Sequence, residues 1–203
     1  MNESPGTRER LLQEAVSAIV HGGEAAVRIR DIAKAAGVSY ASVYHFFGSR
    51  EGLIEAAQAY RYRSGVSQMI EAFAQASAKA TTKDEFIQSF KFVLGLVFSS
   101  ERSSIRMSRI NVLGSAEARP SLLAVLANTH LELFNELAES FKKPQAMGWV
   151  RADLDLVAVS AWLNGQLTGR LLAEITHGGV DLKAWDAIAS DAIMAILLTD
   201  TSG

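Results

Sequence analysis

Two short amphipathic segments separated by Gly37-Val38 constrain this chain more than any other feature. Ile29, Ile32, Ala33 and Ala36 recur at the spacing of one helix face, and Val43, Phe46 and Phe47 do the same beyond the glycine. Gly37 can take a positive φ where a side chain would clash, and the small Ala33 and Ala36 let two helices cross closely. Ser39 offers a side-chain oxygen as an N-cap for the second segment. Two short helices around a glycine turn suggest a helix-turn-helix, although the same spacing also suits an ordinary αα-corner in a bundle.

The outward chemistry favours the first of these. With Val43 and Phe46 directed into a core, Tyr40, Ala41, Tyr44 and His45 fall on the opposite or flanking faces, with Ser42 near the edge. No Asp or Glu occurs between Ile32 and Arg50. Hydroxyls and an imidazole can donate to phosphate oxygens, Ala41 permits close approach to a base edge or thymine methyl, and Tyr40 can reach a base from the helix start. Arg28, Arg30 and Arg50 flank the motif, where each can meet phosphate on either side of a major groove.

Elsewhere the pattern is helical almost throughout, so the expected fold class is all-α. The chain has three prolines, and no segment alternates apolar and polar residues between turn signals. Leu11, Leu12, Ala15, Val16, Ile19 and Val20 make one face of a first helix, which Gly22-Gly23 would close. His21 and His177, each followed by two glycines, read as capping residues rather than ligands, in the last turn of a helix and facing the negative end of its dipole.

Composition removes several classes of chemistry. With no cysteine there is no disulfide, thiolate metal site or cysteine nucleophile, and His21, His45, His130 and His177 lack the paired spacing of a zinc site. No metal and no cofactor are expected. The longest apolar stretch, Phe92 to Phe98, is far too short for a membrane span, and no secretory signal opens the chain. A cytoplasmic protein without a membrane partner is the expectation. The net charge of -2 argues against a wholly basic, nucleic-acid-coating protein. Hydrophobic residues make up 49% of the chain, which calls for a core, a pocket or a subunit interface.

Thr7-Arg8-Glu9-Arg10-Leu11-Leu12, then Ile29-Arg30-Asp31-Ile32-Ala33, Ala36-Gly37-Val38-Ser39 and Val43-Tyr44-His45-Phe46-Phe47-Gly48-Ser49-Arg50-Glu51-Gly52-Leu53 resemble the N-terminal domain of TetR-family (TetR/AcrR-like) transcriptional regulators. The resemblance implies a three-helix, helix-turn-helix DNA-binding domain over residues 1–50 and a helical regulatory and dimerisation domain over residues 51–203, with a linking helix at about 50–77. It further implies that Tyr44, His45 and Arg50 act mainly on phosphates, and that Tyr40, Ala41 and Ser42 read the operator. Ser39, Arg28 and Arg30 complete the expected DNA-contacting set. Where the family often has an aromatic residue and then a threonine before the second helix, this chain has Glu24 and Val27. Val27 has no hydroxyl for a phosphate, and Arg28 is expected to take over that contact.

The remaining segments read as a regulatory body. Thr82 with Glu85 forms a capping-box pattern, a shorter helix is expected around Ser103 to Leu113, and Pro120 would open a long one. Phe90, Phe98, Met107, Asn111, His130, Phe134, Trp162 and Gln166 combine apolar bulk with sparse polar groups, as a cavity for a small effector of apolar character would need, although each also suits core or surface.

Asp153 or Asp155, and later Asp181, would cap the last two helices. There Ala158, Ala161, Gly165 and Gly169 form a small-residue ridge, and Trp185, Ile188, Ala189, Ala192, Ile193 and Ile196 an apolar stripe. Such faces pack either within one chain or between two, and the resemblance implies a homodimer on a palindromic operator. The expected function is sequence-specific transcriptional regulation, most simply repression released by an effector. An activator or ligand-independent regulator is a second reading, and a helical enzyme with a look-alike head a third, for which the sequence offers no catalytic motif.

Overall fold

The first helix, α1 (Thr7–Gly22), forms where the sequence places its apolar face, and it ends at Gly23, whose φ is 68°. Leu11, Leu12, Ala15 and Ile19 are buried, whereas Val20 at the end of the stripe is exposed. A 3₁₀ turn, Glu24–Ala26, leads into α2 (Ile29–Ala35), and α3 (Ala41–Phe47) follows. These elements come from a computed structural model, which describes residues 6–198. Onward run α4 (Arg50–Lys79), α5 (Lys83–Phe98), α6 (Ser103–Ser115), α7 (Pro120–Ala146), α8 (Leu156–Glu174) and α9 (Leu182–Leu197). Among the described residues the only β pairing is an isolated antiparallel bridge between Val150 and Leu198. The fold is all-α, an N-terminal helix-turn-helix followed by a helical body. No helix among the described residues is long and apolar enough to cross a membrane.

Local chemistry explains most helix boundaries. Thr82 accepts from the Glu85 amide while the Glu85 carboxylate takes the Thr82 amide, so the expected capping box is formed. Asp155, and not Asp153, caps α8 by accepting from the Val157 and Ala158 amides; Asp153 instead pairs with Arg151. Asp181 caps α9 in the same way. At the start of α4, Ser49 Oγ accepts from the Gly52 amide at 2.9 Å. A Cβ on Gly52 would stand 2.1 Å from the Phe47 carbonyl oxygen, so this tight α3–α4 corner excludes any side chain there.

Two expectations at helix ends are corrected. α3 begins one residue later than Ser39 would set it, with Tyr40 at the cap position and no side-chain cap; the Ser39 and Ser42 hydroxyls bond each other at 3.1 Å. His177 lies beyond the end of α8, in a turn where its own φ is 50°, so it is not in the last helical turn. His21 is in the last turn of α1, with Nδ1 2.8 Å from the Ser17 carbonyl oxygen.

The chain divides into two compact units. One comprises the residues up to Arg63 together with Val112–Ala127; the other comprises Ser64–Asn111 and the residues from Asn128 onward. The boundary expected at residue 50 therefore falls inside the first unit, because Leu53, Ile54 and Ala57 of α4 are buried in the same core as α1–α3. That core is built on Leu11, Ala15, Ile32, Ala33 and Val43. The second unit has its own core, in which Phe73, Phe86, Phe90 and Phe141 cluster with ring centroids 4.9–6.3 Å apart.

Candidate functional site

The turn between α2 and α3 depends on Gly37, with φ 68°, whose amide closes onto the Lys34 carbonyl while Val38 N–H reaches the Ala33 carbonyl. Ala33, Ala36 and Val43 are buried at the crossing. Outward, Ser39, Tyr40, Ala41, Tyr44 and His45 are exposed and Ser42 is half-buried, with Tyr40 62% and Tyr44 52% accessible. Arg28 and Arg30 are exposed at the start of α2. The result is a donor-rich surface without a carboxylate along α3, suited to the phosphate and base edges of a duplex.

Two residues behave differently from expectation. Phe46 is exposed and sets its ring edge-on to His45 at 4.7 Å, while Phe47 packs on the core with Arg8 over its ring. A seven-residue helix has fewer than two turns, so Val43 and Phe47 satisfy its inward face and Phe46 is turned away. Arg50, expected on phosphate, donates through Nε to the Val27 carbonyl at 2.7 Å and through Nη2 to the Glu24 carbonyl at 2.6 Å. Its guanidinium holds the 3₁₀ turn to the start of α4: it gives the Val27 carbonyl a donor, and gives the Glu24 carbonyl, which already accepts from the Val27 amide, a second one.

Glu24 is a residue whose role the sequence conceals. Its carboxylate accepts from Gln58 Nε2 at 2.7 Å and from Arg119 Nη1 at 2.7 and 2.8 Å. Burial pushes this carboxyl up, but the hydrogen bonds from Gln58 and Arg119 and the charges of Arg119 and Arg50 outweigh it and hold it below the ordinary carboxylate range.

The second unit contains a cavity of about 100 Å³ between α4, α5, α6, α7 and α8. Of the expected pocket residues, Phe90, Phe98 and Phe134 line it. Met107, Asn111 and Trp162 are exposed outside it, and His130 and Gln166 also lie outside the lining. The helices are rotated so that Arg106 and Arg109 face inward where Met107 and Asn111 were expected, and Leu163, Asn164 and Leu167 do so in place of Trp162 and Gln166. The His130 ring packs near Phe134; burial lowers its pKa, and the charge of Arg109 acts the same way.

Behind the polar part of this wall lies a buried ion cluster. Arg106 pairs with Glu174, which also receives Arg170 Nη1 at 2.9 Å and the Ser103 hydroxyl at 2.9 Å; Arg170, only 1% exposed, pairs in turn with Asp186. Arg102, Arg106 and Arg109 recur at helical spacing beside Ile105, a signal in the sequence that the arginines share a face with apolar neighbours.

The expected interface set divides. Ala158, Gly165, Ala192, Ile188 and Ile196 are exposed, Ile188 by 71%, and Ala161, Gly169 and Trp185 are half-buried. Ala189 and Ile193 are corrected: both are buried in the core of the second unit, because α9 turns that edge of its stripe toward α5 and α8. Trp185 also packs inward, its ring 3.3 Å from where a Cβ on Gly169 would be.

Comparison with known proteins gives consistent findings. Residues 11–57 match the family model of bacterial regulatory proteins, tetR family. The transcriptional regulator UidR of Escherichia coli K12 is 24% identical over 196 residues, covering 95% of this chain and 89% of that protein. Among solved structures, a TetR-family transcriptional regulator from Mesorhizobium loti superposes with a TM-score of 0.69 at 17% identity, covering 95% and 97% of the two chains. The multidrug binding protein EbrR, solved with imidazole, gives a TM-score of 0.61 at 19% identity and covers 98% and 99%.

Proposed function

Because the chain belongs to the TetR family of DNA-binding transcriptional regulators, we propose that it is a homodimeric repressor whose hold on a palindromic operator is released by a small effector of apolar character. The observation that carries this reading is the acid-free, exposed face of α3 beside Arg28 and Arg30. Tyr44 and His45 act on phosphates, Arg28 takes the phosphate contact that Val27 cannot make, and Tyr40, Ala41 and Ser42 read bases. Arg50 contributes chiefly by fixing the turn ahead of α2.

The exposed small and apolar residues of α8 and α9 are the self-complementary face of the dimer. Two recognition helices must then enter successive major grooves about 34 to 36 Å apart. An effector in the cavity favours a different spacing, and DNA and effector oppose one another by the same coupling free energy. That EbrR was solved with imidazole agrees with a ligand-accepting body in this fold.

A pull-down of sheared genomic DNA with the purified protein, sequenced and repeated with Tyr44→Ala and Arg28→Ala, tests the reading. The expected result is one enriched palindrome that weakens in both variants, next to genes whose transcripts rise when the regulator is deleted. Falling transcripts would make it an activator, and no enrichment at low salt would reopen the helical-enzyme reading.

A further inference from the structure

We infer that the cavity of the second unit selects a compact organic anion, a short aliphatic body ending in a carboxylate. The inference rests on the effector reading above and adds the chemistry of the ligand. At about 100 Å³ the cavity is somewhat smaller than the roughly 150 Å³ apolar cavity that accepts benzene, so its occupant is compact. Most of its wall is apolar, including Phe73, Phe90 and Phe98.

Every charged side chain in that wall is an arginine: Arg102, Arg106 and Arg109. Arg106 is neutralised by Glu174, which is not part of the lining, and Arg102 donates to the Gly65 carbonyl at 2.6 Å. Arg109 is 5% exposed and donates through Nη2 to Asn164 Oδ1 at 2.7 Å. A guanidinium has no acceptor, so this bond fixes the Asn164 amide with its oxygen toward Arg109 and leaves its NH₂ as the donor. The Ser160 hydroxyl proton is spent on the Leu156 carbonyl at 2.8 Å.

The polar part of the wall therefore offers positive charge and N–H donors. An ammonium there would meet like charges beside an apolar wall. A carboxylate would gain charge-assisted hydrogen bonds in the same place.

The test is calorimetric titration of the protein with three ligands that share one branched four-carbon skeleton and differ in the head: isobutyrate, isobutyramide and isobutylamine. Isobutyrate is expected to bind about 10-fold or more tightly than the amide, with the amine weakest. Asn164→Asp keeps an acceptor for Arg109 but replaces the donor by negative charge, and should cost isobutyrate about 10-fold while costing the amide less.

Equal affinity for the three heads, a preference for the amide or amine, no binding of any at millimolar concentration, or an unchanged preference in Asn164→Asp would each overturn the inference. DNA affinity measured alongside keeps the two readings apart. Isobutyrate binding without loss of DNA affinity would sink release and leave the ligand class, whereas release by the amine would do the reverse.

Discussion

Arg119 Nη1 donates to both carboxylate oxygens of Glu24, at 2.7 and 2.8 Å, and so ties the segment just before α7 to the turn just before α2. Gln58 of α4 shares the same carboxylate. Both partners are about one-third exposed or less, so the pair should be worth more than a solvated surface bridge. A double-mutant cycle with Glu24→Gln and Arg119→Met is expected to give a coupling of about 1–2 kcal/mol in denaturant unfolding. A coupling near zero would reduce Glu24 to a surface residue.

The same carboxylate predicts a pH dependence. Its folded-state pKa lies below the ordinary value of 4.5, so between the two the unfolded chain binds more protons. Its contribution is therefore fully present above about pH 4.5 and is lost as pH falls through the lower, folded-state value. Unfolding midpoints measured from pH 6 downward should fall less steeply for Glu24→Gln than for the wild type, and parallel curves would contradict the assignment.

Arg50 and Tyr44 should separate by readout. Arg50 makes two hydrogen bonds to backbone carbonyls, whereas the Tyr44 side chain is largely in solvent. Arg50→Ala is expected to lose about 1.5–3 kcal/mol of stability. Tyr44→Ala should stay within about 0.5 kcal/mol of wild type in stability and lose DNA affinity. If both variants kept their stability and lost only DNA affinity, Arg50 would be a phosphate contact in the first place.

Glu174 is the shared counter-charge of Arg106 and Arg170, both almost fully buried. Removing it leaves two guanidiniums in the interior with Asp186 as the remaining carboxylate of the cluster. Glu174→Ala should destabilise the protein by about 3–5 kcal/mol, measured by denaturant unfolding. A loss under about 1 kcal/mol would mean that water replaces the carboxylate.

What could be read in advance was local. The turn at Gly37, the Thr82–Glu85 box and the Asp181 cap each depend on residues within four positions of one another, and each is present as expected. Phe46 departs from the expected inward face because a helix of seven residues is too short for periodicity to fix its inward edge. The roles of Arg50 and Glu24 depend on partners far along the chain, Arg119 lying 95 positions from Glu24. The pocket wall turned on helix rotation: on α6, placing Arg106 and Arg109 inward puts Met107 and Asn111 outside, and a stripe that mixes arginine with isoleucine does not reveal which face is buried. On α9 the stripe is wide enough to serve both the core and an open surface, so apolarity alone did not divide Ile193 from Ile188.

That division supplies a test of the proposed dimer. Ile188 is 71% exposed, while Ile193, little more than one turn further along α9, is 1% exposed in the core of its own unit. A charge at Ile188 loses nothing within one chain, but in a two-fold interface it would meet its own apolar partner face twice over. Ile188→Asp is therefore expected to give a monomer in sedimentation velocity with helical content near wild type and DNA affinity reduced by about 10-fold or more, since one head alone cannot grip both half-sites. Ile193→Asp should instead unfold the second unit, because it places a carboxylate among packed apolar side chains. A dimer that survives Ile188→Asp with full DNA affinity would move the interface away from this face of α9.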